Sequence, residues 1–238
     1  MRHLVLLRHG ESEWNAENRM TGWADVGLTE TGVAEARRAG RLLRASGQEF
    51  DVVHTSLLKR ALKSMFLALE ELDLLWLPVE RAWQLNERHY GRLTGVERAR
   101  YAEPCAGESS AAWCGSYEVP PPAMGLADPG NPASDRRYDD LSPSERPRTE
   151  SLKDAYRRIV AYWEARIRVD LEAGRRVLVV GHGTTLGLLA KFLDGTREAE
   201  VVEEVLPAGR PLVYELRDDL SPLRRYELGV AADARPTA

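Results

Sequence analysis

The sequence predicts an α/β fold of three layers, in which a mostly parallel sheet carries helices on both faces. Two short apolar runs, 4–7 and 177–180, each precede a helical pattern, and each run leads into a His-Gly pair. Runs of this length are typical of strands buried on both faces in a parallel sheet. Because parallel strands end at one edge of the sheet, we expect His9 and His182 at the same crevice, where such sheets bind ligands.

Strands and helices alternate through the first part of the chain. After the first strand, Thr29 is placed to cap a helix that ends near Ser46. A second strand is predicted over 50–55, Ser56 is placed to cap the next helix, and a third strand begins near Leu77. The apolar faces of the two helices are predicted to be Val33, Ala36, Leu42 and Leu43 in the first, and Leu58, Leu62, Phe66, Leu69 and Leu72 in the second.

Regular structure is predicted again toward the end of the chain. Either Thr149 or Ser151 caps a helix, and the helix after the second His-Gly pair ends at Gly195. Runs 211–216 and 223–228 are predicted to form a terminal hairpin. The apolar face of the helix before the second His-Gly strand is predicted to be Leu152, Tyr156, Ile159, Trp163 and Ile167.

The stretch 97–150 differs from the rest of the chain. It holds eight of the thirteen prolines and keeps no apolar period. A segment this long without regular structure inside a compact domain is usually functional or mobile. We interpret it as a lid-like insertion within a single α/β domain over 1–228, followed by a flexible tail over 229–238.

Composition excludes several classes of function. The net charge of −4 gives no global basic field for nucleic acid, so an anion site must be local. The two cysteines, Cys105 and Cys114, have no metal-binding spacing; free thiols are expected, with one disulfide as the alternative. The N-terminus has no signal-peptide pattern, and no segment is long and apolar enough to span a membrane. We therefore expect a cytoplasmic protein without membrane or nucleic-acid partners.

Phosphoryl transfer is the chemistry that the residues at the predicted sheet edge suggest. A histidine nucleophile needs a neutral ring nitrogen, with cations and amide donors that spread charge over the transferring oxygens. His9 is the candidate nucleophile, flanked by Arg8 and by Gly10, whose amide is expected to be exposed to a ligand. Arg60, in the first turn of the helix after the second strand, is expected at the same edge. The alternative for Arg60 is a solvated helix face, and we accept this interpretation for neighbouring Lys63.

The reaction also needs a general acid for the leaving oxygen. Glu87, in a polar stretch over 86–90, is the candidate; the alternative, an ordinary carboxylate on a surface turn, carries equal weight. The glycine-rich stretch 181–187 resembles a dinucleotide loop, but the chain after it is too short for the expected succession of strands and helices.

The motifs that carry a family resemblance extend over nearly the whole chain. They are Leu-Arg-His-Gly-Glu-Ser-Glu-Trp-Asn at 7–15, Thr-Gly-Trp at 21–23, Leu-Lys-Arg-Ala at 58–61, Leu-Asn-Glu-Arg-His-Tyr-Gly at 85–91, His-Gly at 182–183 and Pro-Leu-Val-Tyr-Glu at 211–215. In these motifs the chain resembles the histidine phosphatase superfamily. Within it, the segments at 21–23 and 86–91 resemble the cofactor-dependent phosphoglycerate mutases, which use 2,3-bisphosphoglycerate.

The resemblance implies a role for each matching residue. His9 is then the phosphorylated nucleophile, Glu87 the acid and base, and His182 the group that stabilises the transferring phosphoryl. The implied substrate-binding residues are Arg8, Gly10, Glu11, Ser12, Asn15, Thr21, Gly22, Arg60, Arg88, His89, Tyr90, Arg98, Gly183 and Thr184. It further implies priming of His9 by 2,3-bisphosphoglycerate, interconversion of 3-phosphoglycerate and 2-phosphoglycerate in glycolysis and gluconeogenesis, a homodimer and no metal.

The chain departs from the family pattern at the substrate-binding positions. Arg98 stands where the family has a lysine, Cys114 and Gly115 stand where it has two arginines, and Thr184 replaces an asparagine. Each charged hydrogen bond to a substrate anion contributes about 1.5 to 3 kcal/mol, so losing two weakens binding about a hundredfold or more.

Two alternatives to a mutase therefore stay open: a phosphatase that uses the same phosphohistidine on another phosphomonoester, and a non-catalytic relative. Arg136 and Arg137, on the same insertion, are candidates to replace the missing arginines.

Overall fold

A six-stranded sheet forms the centre of the fold in the computed structural model, which describes residues 1–99, 116–128, 130–200 and 205–229. The strands are β1 (Arg2–Arg8), β2 (Val52–Thr55), β3 (Val79–Arg81), β4 (Val177–Gly181), β5 (Pro211–Leu216) and β6 (Pro222–Glu227). Their order is β3-β2-β4-β1-β5-β6; the first four strands are parallel, β5 is antiparallel to β1, and β6 is antiparallel to β5. The mostly parallel sheet and the terminal hairpin are confirmed.

Helices cover both faces of this sheet. They are α1 (Glu13–Ala16), α2 (Glu30–Ala45), α3 (Lys59–Leu72), α4 (Leu152–Tyr162), α5 (Arg168–Glu172) and α6 (Gly183–Leu193), and a π-helical turn, Trp163–Ile167, joins α4 to α5. Successive side chains of a strand point to opposite faces, so Leu4 and Leu6 pack with α4 and α6, while Val5 and Leu7 pack with α2 and α3. The predicted three-layer α/β fold is confirmed.

Two predicted helix starts agree with the structure. The Thr29 hydroxyl accepts a hydrogen bond from the Gly32 amide and caps α2. At α4, Ser151 and Asp154 form a reciprocal capping box, which satisfies amides that have no partner within the helix. The predicted apolar face that follows Ser151 is buried in full.

The predicted start of α3 is wrong, and its predicted apolar face is right at Leu58, Leu69 and Leu72 but wrong at Leu62 and Phe66. The N-cap is Leu58, without a side-chain cap, and Ser56 lies before the helix. Phe66 is 41% exposed, and the buried face is Arg60, Ala61, Ser64, Met65, Ala68, Leu69 and Leu72. The physical reason is close packing against α2, where a Cβ at Gly40 would lie 2.6 Å from the Ala68 carbonyl oxygen. Only small side chains fit that contact.

The described part of 97–150 lies against the loop after α1. It contains short 3₁₀ turns at 132–134, 136–138 and 143–145. The Tyr138 ring lies 4.9 Å from the Trp23 ring, and its hydroxyl accepts a hydrogen bond from Asn86. Cys105, Cys114 and the tail over 230–238 lie outside the described residues. Among the residues described, no helix is long and apolar enough to cross a membrane.

Candidate active site

The pairing of β1 with β4 places the two histidines beside each other. Arg8 is in register with Gly181, so His9 and His182 each follow a strand end at the same edge of the sheet. The His9 amide donates to the Gly181 carbonyl, and the two imidazole centroids lie 5.0 Å apart. Both side chains are buried.

The surroundings of His9 hold its ring as a neutral nucleophile. Nδ1 lies 2.6 Å from the Gly10 carbonyl oxygen, which can only accept, so Nδ1 carries the proton. Nε2 therefore has the lone pair, and Arg60 donates to it from Nε at 3.2 Å. Burial, followed by the positive charges of Arg60 and Arg8, holds the pKa of His9 well below its usual value. The ring is neutral at physiological pH.

Backbone carbonyls fix the Arg60 guanidinium in place. Arg60 lies in the first turn of α3, is 1% exposed, and donates to the carbonyls of Ala24 and Gly22 at 2.8 Å each. Gly22 has a φ of +52°, a conformation that favours glycine, and this aims its carbonyl at Arg60. Burial lowers the pKa of Arg60 to about 10, so the group stays charged at neutral pH.

Glu87 is bound to the first turn of α6, directly after His182. Its Oε2 accepts from the Thr184 amide at 3.2 Å. Its Oε1 accepts from the Thr185 amide, the Thr185 hydroxyl and the Arg88 amide. A helix N-terminus is a favourable place for a carboxylate. Glu87 is 9% exposed, so the alternative that places it on a surface turn is wrong.

Two buried nitrogens in this cluster have no hydrogen-bond partner among the described residues: His182 Nδ1 and Arg8 Nε. His182 Nε2 lies 2.7 Å from the Ser56 hydroxyl, and Arg8 donates from Nη1 to the Leu206 carbonyl. Burial, then the charge of Arg60, lowers the pKa of His182. Such unpaired buried groups are uncommon in proteins. Together with Arg60 they form a place where the oxygens of an anion can bind.

The expectation that Gly10 offers an exposed amide is wrong. The Gly10 amide donates to the Ser64 hydroxyl at 3.1 Å, and the position is buried. A Cβ on Gly10 would lie 2.1 Å from the Gly32 carbonyl oxygen. The glycine is needed for close packing of this loop on α2. Gly183 packs against a side chain of the site. Its backbone lies against the Arg8 guanidinium, and a Cβ there would lie 3.2 Å from Arg8 Cζ.

Several other predicted residues are used in local structure. Ser12 and Asn15 form the capping box of α1, and the Glu11 carboxylate accepts from the Thr29 hydroxyl at 2.7 Å. The Thr21 hydroxyl lies 3.4 Å from the Arg19 carbonyl oxygen. These contacts shape the loop that carries Gly22 and Ala24 to Arg60.

The second polar segment lies close to α6. The Tyr90 hydroxyl is 3.3 Å from the Thr184 hydroxyl, and Arg88 donates from Nε to the Glu150 carbonyl. Arg98 is exposed, but its charge acts on the pKa of Arg8, so the two guanidinium groups are near each other.

Arg137 is not available to replace the missing arginine pair. It forms an ion pair with Asp25 at 2.8 Å and a second one with Asp135. Its neighbour Arg136 is exposed. Cys114 and Gly115, the positions of the missing pair, lie outside the described residues.

Sequence reasoning missed a buried ion pair behind Glu87. Arg158 donates to Glu150 from Nε at 2.6 Å and from Nη2 at 2.9 Å, and it also donates to the Glu87 carbonyl. Glu150 in turn accepts from the His89 amide. This pair fixes the segment that carries Glu87, and no sequence spacing indicates it.

Sequence reasoning also missed the hydrogen bonds of Ser56 to His182 and of Ser64 to Gly10, although the positions of both serines could have indicated them. Ser56 directly follows β2 at the edge where His9 and His182 lie. Ser64 comes one helical turn after Arg60 and therefore shares its face of α3.

No group of three or more His, Cys, Asp or Glu side chains with metal-binding geometry is found in the described parts of the chain.

The fold and this site define an α/β protein with two adjacent histidines at the carboxyl edge of its parallel strands. Residues 4–130, more than half of the chain, match the sequence profile of the histidine phosphatase superfamily (branch 1). The chain belongs to this superfamily of enzymes.

Solved structures of several activities share the fold. An alpha-ribazole phosphatase from Shigella flexneri aligns with a TM-score of 0.67 at 23% identity, covering 93% of this chain and 94% of the other. A mycobacterial glucosyl-3-phosphoglycerate phosphatase aligns with a TM-score of 0.65 at 22% identity, covering 95% and 97%. A phosphoglycerate mutase from Bacillus anthracis aligns with a TM-score of 0.63 at 23% identity, covering 90% and 88%. At these identities the likeness shows the fold.

Proposed function

We propose that this protein is a phosphatase that hydrolyses a small phosphomonoester through a phosphohistidine formed on His9. The observation that carries the proposal is the state of His9: a buried, neutral ring whose Nε2 lone pair lies beside the Arg60 guanidinium. A neutral nitrogen next to fixed cations is what attack on a phosphoryl group requires.

The first step transfers the phosphoryl group to the enzyme. His9 Nε2 forms a bond to phosphorus as the ester P–O bond breaks, and the Glu87 carboxyl gives its proton to the leaving oxygen. Both carboxylate oxygens are held by donors, Oε2 by the Thr184 amide and Oε1 by the Arg88 amide and by Thr185. Arg60, Arg8 Nε and His182 Nδ1 bind the phosphoryl oxygens and spread their charge.

The second step returns the enzyme to its starting state. Glu87 takes a proton from water, the water oxygen bonds to phosphorus, and the P–N bond to His9 breaks to release inorganic phosphate. His182 acts as a donor at Nδ1 when the Ser56 hydroxyl, which accepts from the Leu58 amide, donates its own proton to Nε2. Ser56 is therefore a positioning residue for His182.

A phosphoglycerate mutase primed by 2,3-bisphosphoglycerate is the second candidate. The placement of Arg88 and Tyr90 beside Glu87 and α6 favours it, because these residues belong to the mutase-like segment. A mutase must hold a bisphosphate while it reorients, and this needs more cations than hydrolysis does. Arg137 is already paired with two carboxylates, which favours hydrolysis.

A phosphorus NMR time course separates these functions. The purified protein is incubated with 3-phosphoglycerate, with and without a catalytic amount of 2,3-bisphosphoglycerate, and separately with p-nitrophenyl phosphate. The phosphatase proposal predicts inorganic phosphate without any need for bisphosphate. Formation of 2-phosphoglycerate only when bisphosphate is present would establish the mutase instead. No turnover of any of several phosphomonoesters would favour the non-catalytic alternative.

A further inference from the structure

One loop, residues 23–25, holds Arg60 at two points. The Ala24 carbonyl accepts from Arg60 Nη1 at 2.8 Å. Asp25 Oδ1 accepts from the amide of Lys59, the residue before Arg60, at 2.7 Å. The N-cap residue of α3 makes no side-chain hydrogen bond to the helix, so Asp25 supplies a carboxylate to one of the amides that have no partner within the helix. Both the guanidinium of Arg60 and the helical turn that carries it are therefore tied to the loop.

The same loop also holds the segment that carries Glu87. Trp23 donates from Nε1 to the Glu87 carbonyl at 2.6 Å, and the Trp23 side chain is buried. In the proposed reaction Arg60 binds the phosphoryl oxygens and Glu87 gives its proton to the leaving oxygen. Three consecutive loop residues thus connect the group that binds the phosphoryl oxygens with the group that protonates the leaving oxygen.

The turn at 136–138 holds the loop from the side of the insertion. Arg137 Nη1 lies 2.8 Å from Asp25 Oδ2, and the Tyr138 ring lies 4.9 Å from the Trp23 ring. A cavity of about 150 Å³ remains between the loop and the insertion, so apolar packing alone does not fix the loop on this side. The polar contacts of Asp25 and Trp23 therefore have to hold it in place.

We propose that Asp25 and Trp23 are positioning residues for phosphoryl transfer. Asp25 holds Arg60 against the phosphoryl oxygens, and Trp23 holds Glu87 at the leaving oxygen. Neither residue needs to contact the substrate. The proposal rests on the proposed function for the roles of Arg60 and Glu87, and its tests therefore separate anion binding from turnover.

Lys59→Pro removes the donor of the hydrogen bond to Asp25 and keeps the charge of the carboxylate. Proline is favourable at the first position of a helix, and the extended backbone of Leu58 suits the residue before a proline, so the variant should fold. Lys59→Ala is the matched control, because it removes the same exposed side chain but keeps the amide.

A second pair of variants changes the acceptor instead of the donor. The charge of Asp25 also acts on Arg60: burial lowers the pKa of Arg60, and the charges of Glu87 and Asp25 oppose this effect. Asp25→Ala and Asp25→Asn both remove the charge, but only asparagine keeps an oxygen that can accept from the Lys59 amide. The difference between these two variants therefore reports on the hydrogen bond rather than on the charge.

Binding of inorganic phosphate, measured by isothermal titration calorimetry, reports on Arg60 without any turnover. We expect Lys59→Pro to bind phosphate about tenfold more weakly than Lys59→Ala, and Asp25→Ala about tenfold more weakly than Asp25→Asn, the loss of one charged hydrogen bond. Equal affinities within each pair, or a wild type that does not bind phosphate, would overturn the role of Asp25. If Asp25→Ala does not fold, the Lys59 pair decides alone.

Trp23→Phe tests the position of Glu87. Phenylalanine keeps a ring beside Tyr138 but cannot donate to the Glu87 carbonyl. We expect kcat/KM to fall about fivefold on glycerol 2-phosphate, whose alkoxide needs a proton to leave, and less than about twofold on p-nitrophenyl phosphate, whose phenolate leaves without one. A merely structural role would lower both values equally.

Trp83→Phe is the matched control for this exchange, because the Trp83 ring is a neighbour at 6.2 Å from the Trp23 ring. It should leave kcat/KM on both esters unaltered. An equal loss on the two esters in Trp23→Phe, no loss on either, or the same selective loss in Trp83→Phe would overturn the role of Trp23.

Failure of the proposed function gives a different result. A wild type that binds phosphate but turns over neither ester would reject the reaction at His9 and the role of Trp23. The phosphate affinities of the Lys59 pair would still decide the role of Asp25.

Discussion

The neutral state of His9 follows from burial and two neighbouring positive charges that act in the same direction. Burial and the charges of Arg60 and Arg8 all disfavour the protonated ring, and the Gly10 carbonyl fixes the remaining proton on Nδ1. Only the hydrogen bond to that carbonyl opposes the lowering of the pKa. The nucleophilic nitrogen is therefore set by the local backbone as much as by the charged side chains.

Replacing Ser56 with alanine tests the positioning of His182. The change removes the partner of His182 Nε2, so the ring loses the hydrogen bond that fixes its tautomer. We expect kcat to fall about fivefold, the effect of one neutral hydrogen bond, with KM little changed. The measurement is steady-state kinetics on p-nitrophenyl phosphate, with Ser134→Ala at an exposed turn as the control. A change confined to KM would contradict the assigned role.

The sequence predicted which groups lie together at the site but not the contacts that each of them makes. His9 and His182 follow strand ends and Arg60 begins a helix, so topology brings these three close. Glu87 lies in the loop after β3, and its hydrogen bonds to the first turn of α6 bring it to the site. The Gly10 amide was expected to face a ligand, yet it donates to Ser64, because only the folded structure shows how close α2 approaches.

At the scale of secondary structure, the segment that carries Glu87 depends on an ion pair. Glu150 precedes α4 and Arg158 lies within it, and Arg158 also donates to the carbonyls of Gln84 and Glu87. The pair thereby ties the start of α4 to the segment 84–89. Both side chains are almost fully buried, so neither can exchange its partner for water.

Replacing Arg158 with methionine should destabilise the fold. The change leaves the Glu150 carboxylate buried without its partner, and removal of one member of a buried pair costs about 3 to 5 kcal/mol. The free energy of unfolding from urea titration is the measurement. Arg168→Met is the matched control, because Arg168 pairs with Glu164 and Glu172 at the surface, where solvent screening leaves ion pairs weak. Equal effects of the two changes would show that the buried pair has no special role.

The elements themselves were largely predictable, and the errors have a physical cause. Continuous apolar runs predicted β1 and β4, and the caps of α2 and α4 followed from Thr29 and Ser151. The apolar face of α3 was wrong at two of its five positions, because Phe66 and Leu62 fit a helical stripe as well as Ala61 and Ala68 do. Packing against Gly40 decides between the two faces, and this contact is not visible in the local sequence.

For the whole molecule, the buried histidines link stability to pH. The pKa values of His9, His54, His89 and His182 are all lowered, mainly by burial. A histidine with a lowered folded pKa takes up fewer protons in the folded state than in the unfolded state below the ordinary value of about 6.5. Its stabilising contribution is complete above that value and is lost as the pH falls.

We therefore expect the free energy of unfolding to decrease between pH 7.5 and pH 5. For His89, whose pKa is about 4, the loss at pH 5 is about 2 kcal/mol, because each pH unit below 6.5 costs about 1.4 kcal/mol. Asp51, with a pKa lowered to about 2, stays ionised over this range and does not contribute. Urea unfolding curves at the two pH values measure the change; identical midpoints and slopes would contradict it.

At this scale the fold class could be read from the chain because strand ends, helix caps and the terminal hairpin all agree. The contacts between the insertion and the loop at 23–25 could not be predicted from the sequence. The stacking of Tyr138 on Trp23 and the pairing of Arg137 with Asp25 join residues more than a hundred positions apart, without a repeating pattern. The small cavity that Trp23, Asp25, Arg137 and Tyr138 help to enclose could therefore not be predicted from the sequence either.

Trapping a phosphoenzyme on His9 tests the proposed phosphatase reaction. The protein is mixed with a labelled phosphomonoester, quenched in alkali, and digested for peptide mapping, with His9→Asn as the test variant and His3→Asn, on β1, as the control. We predict acid-labile label on His9 in the wild type and in His3→Asn, and neither label nor turnover in His9→Asn. Label on another residue, or turnover that survives His9→Asn, would contradict a phosphohistidine intermediate on His9.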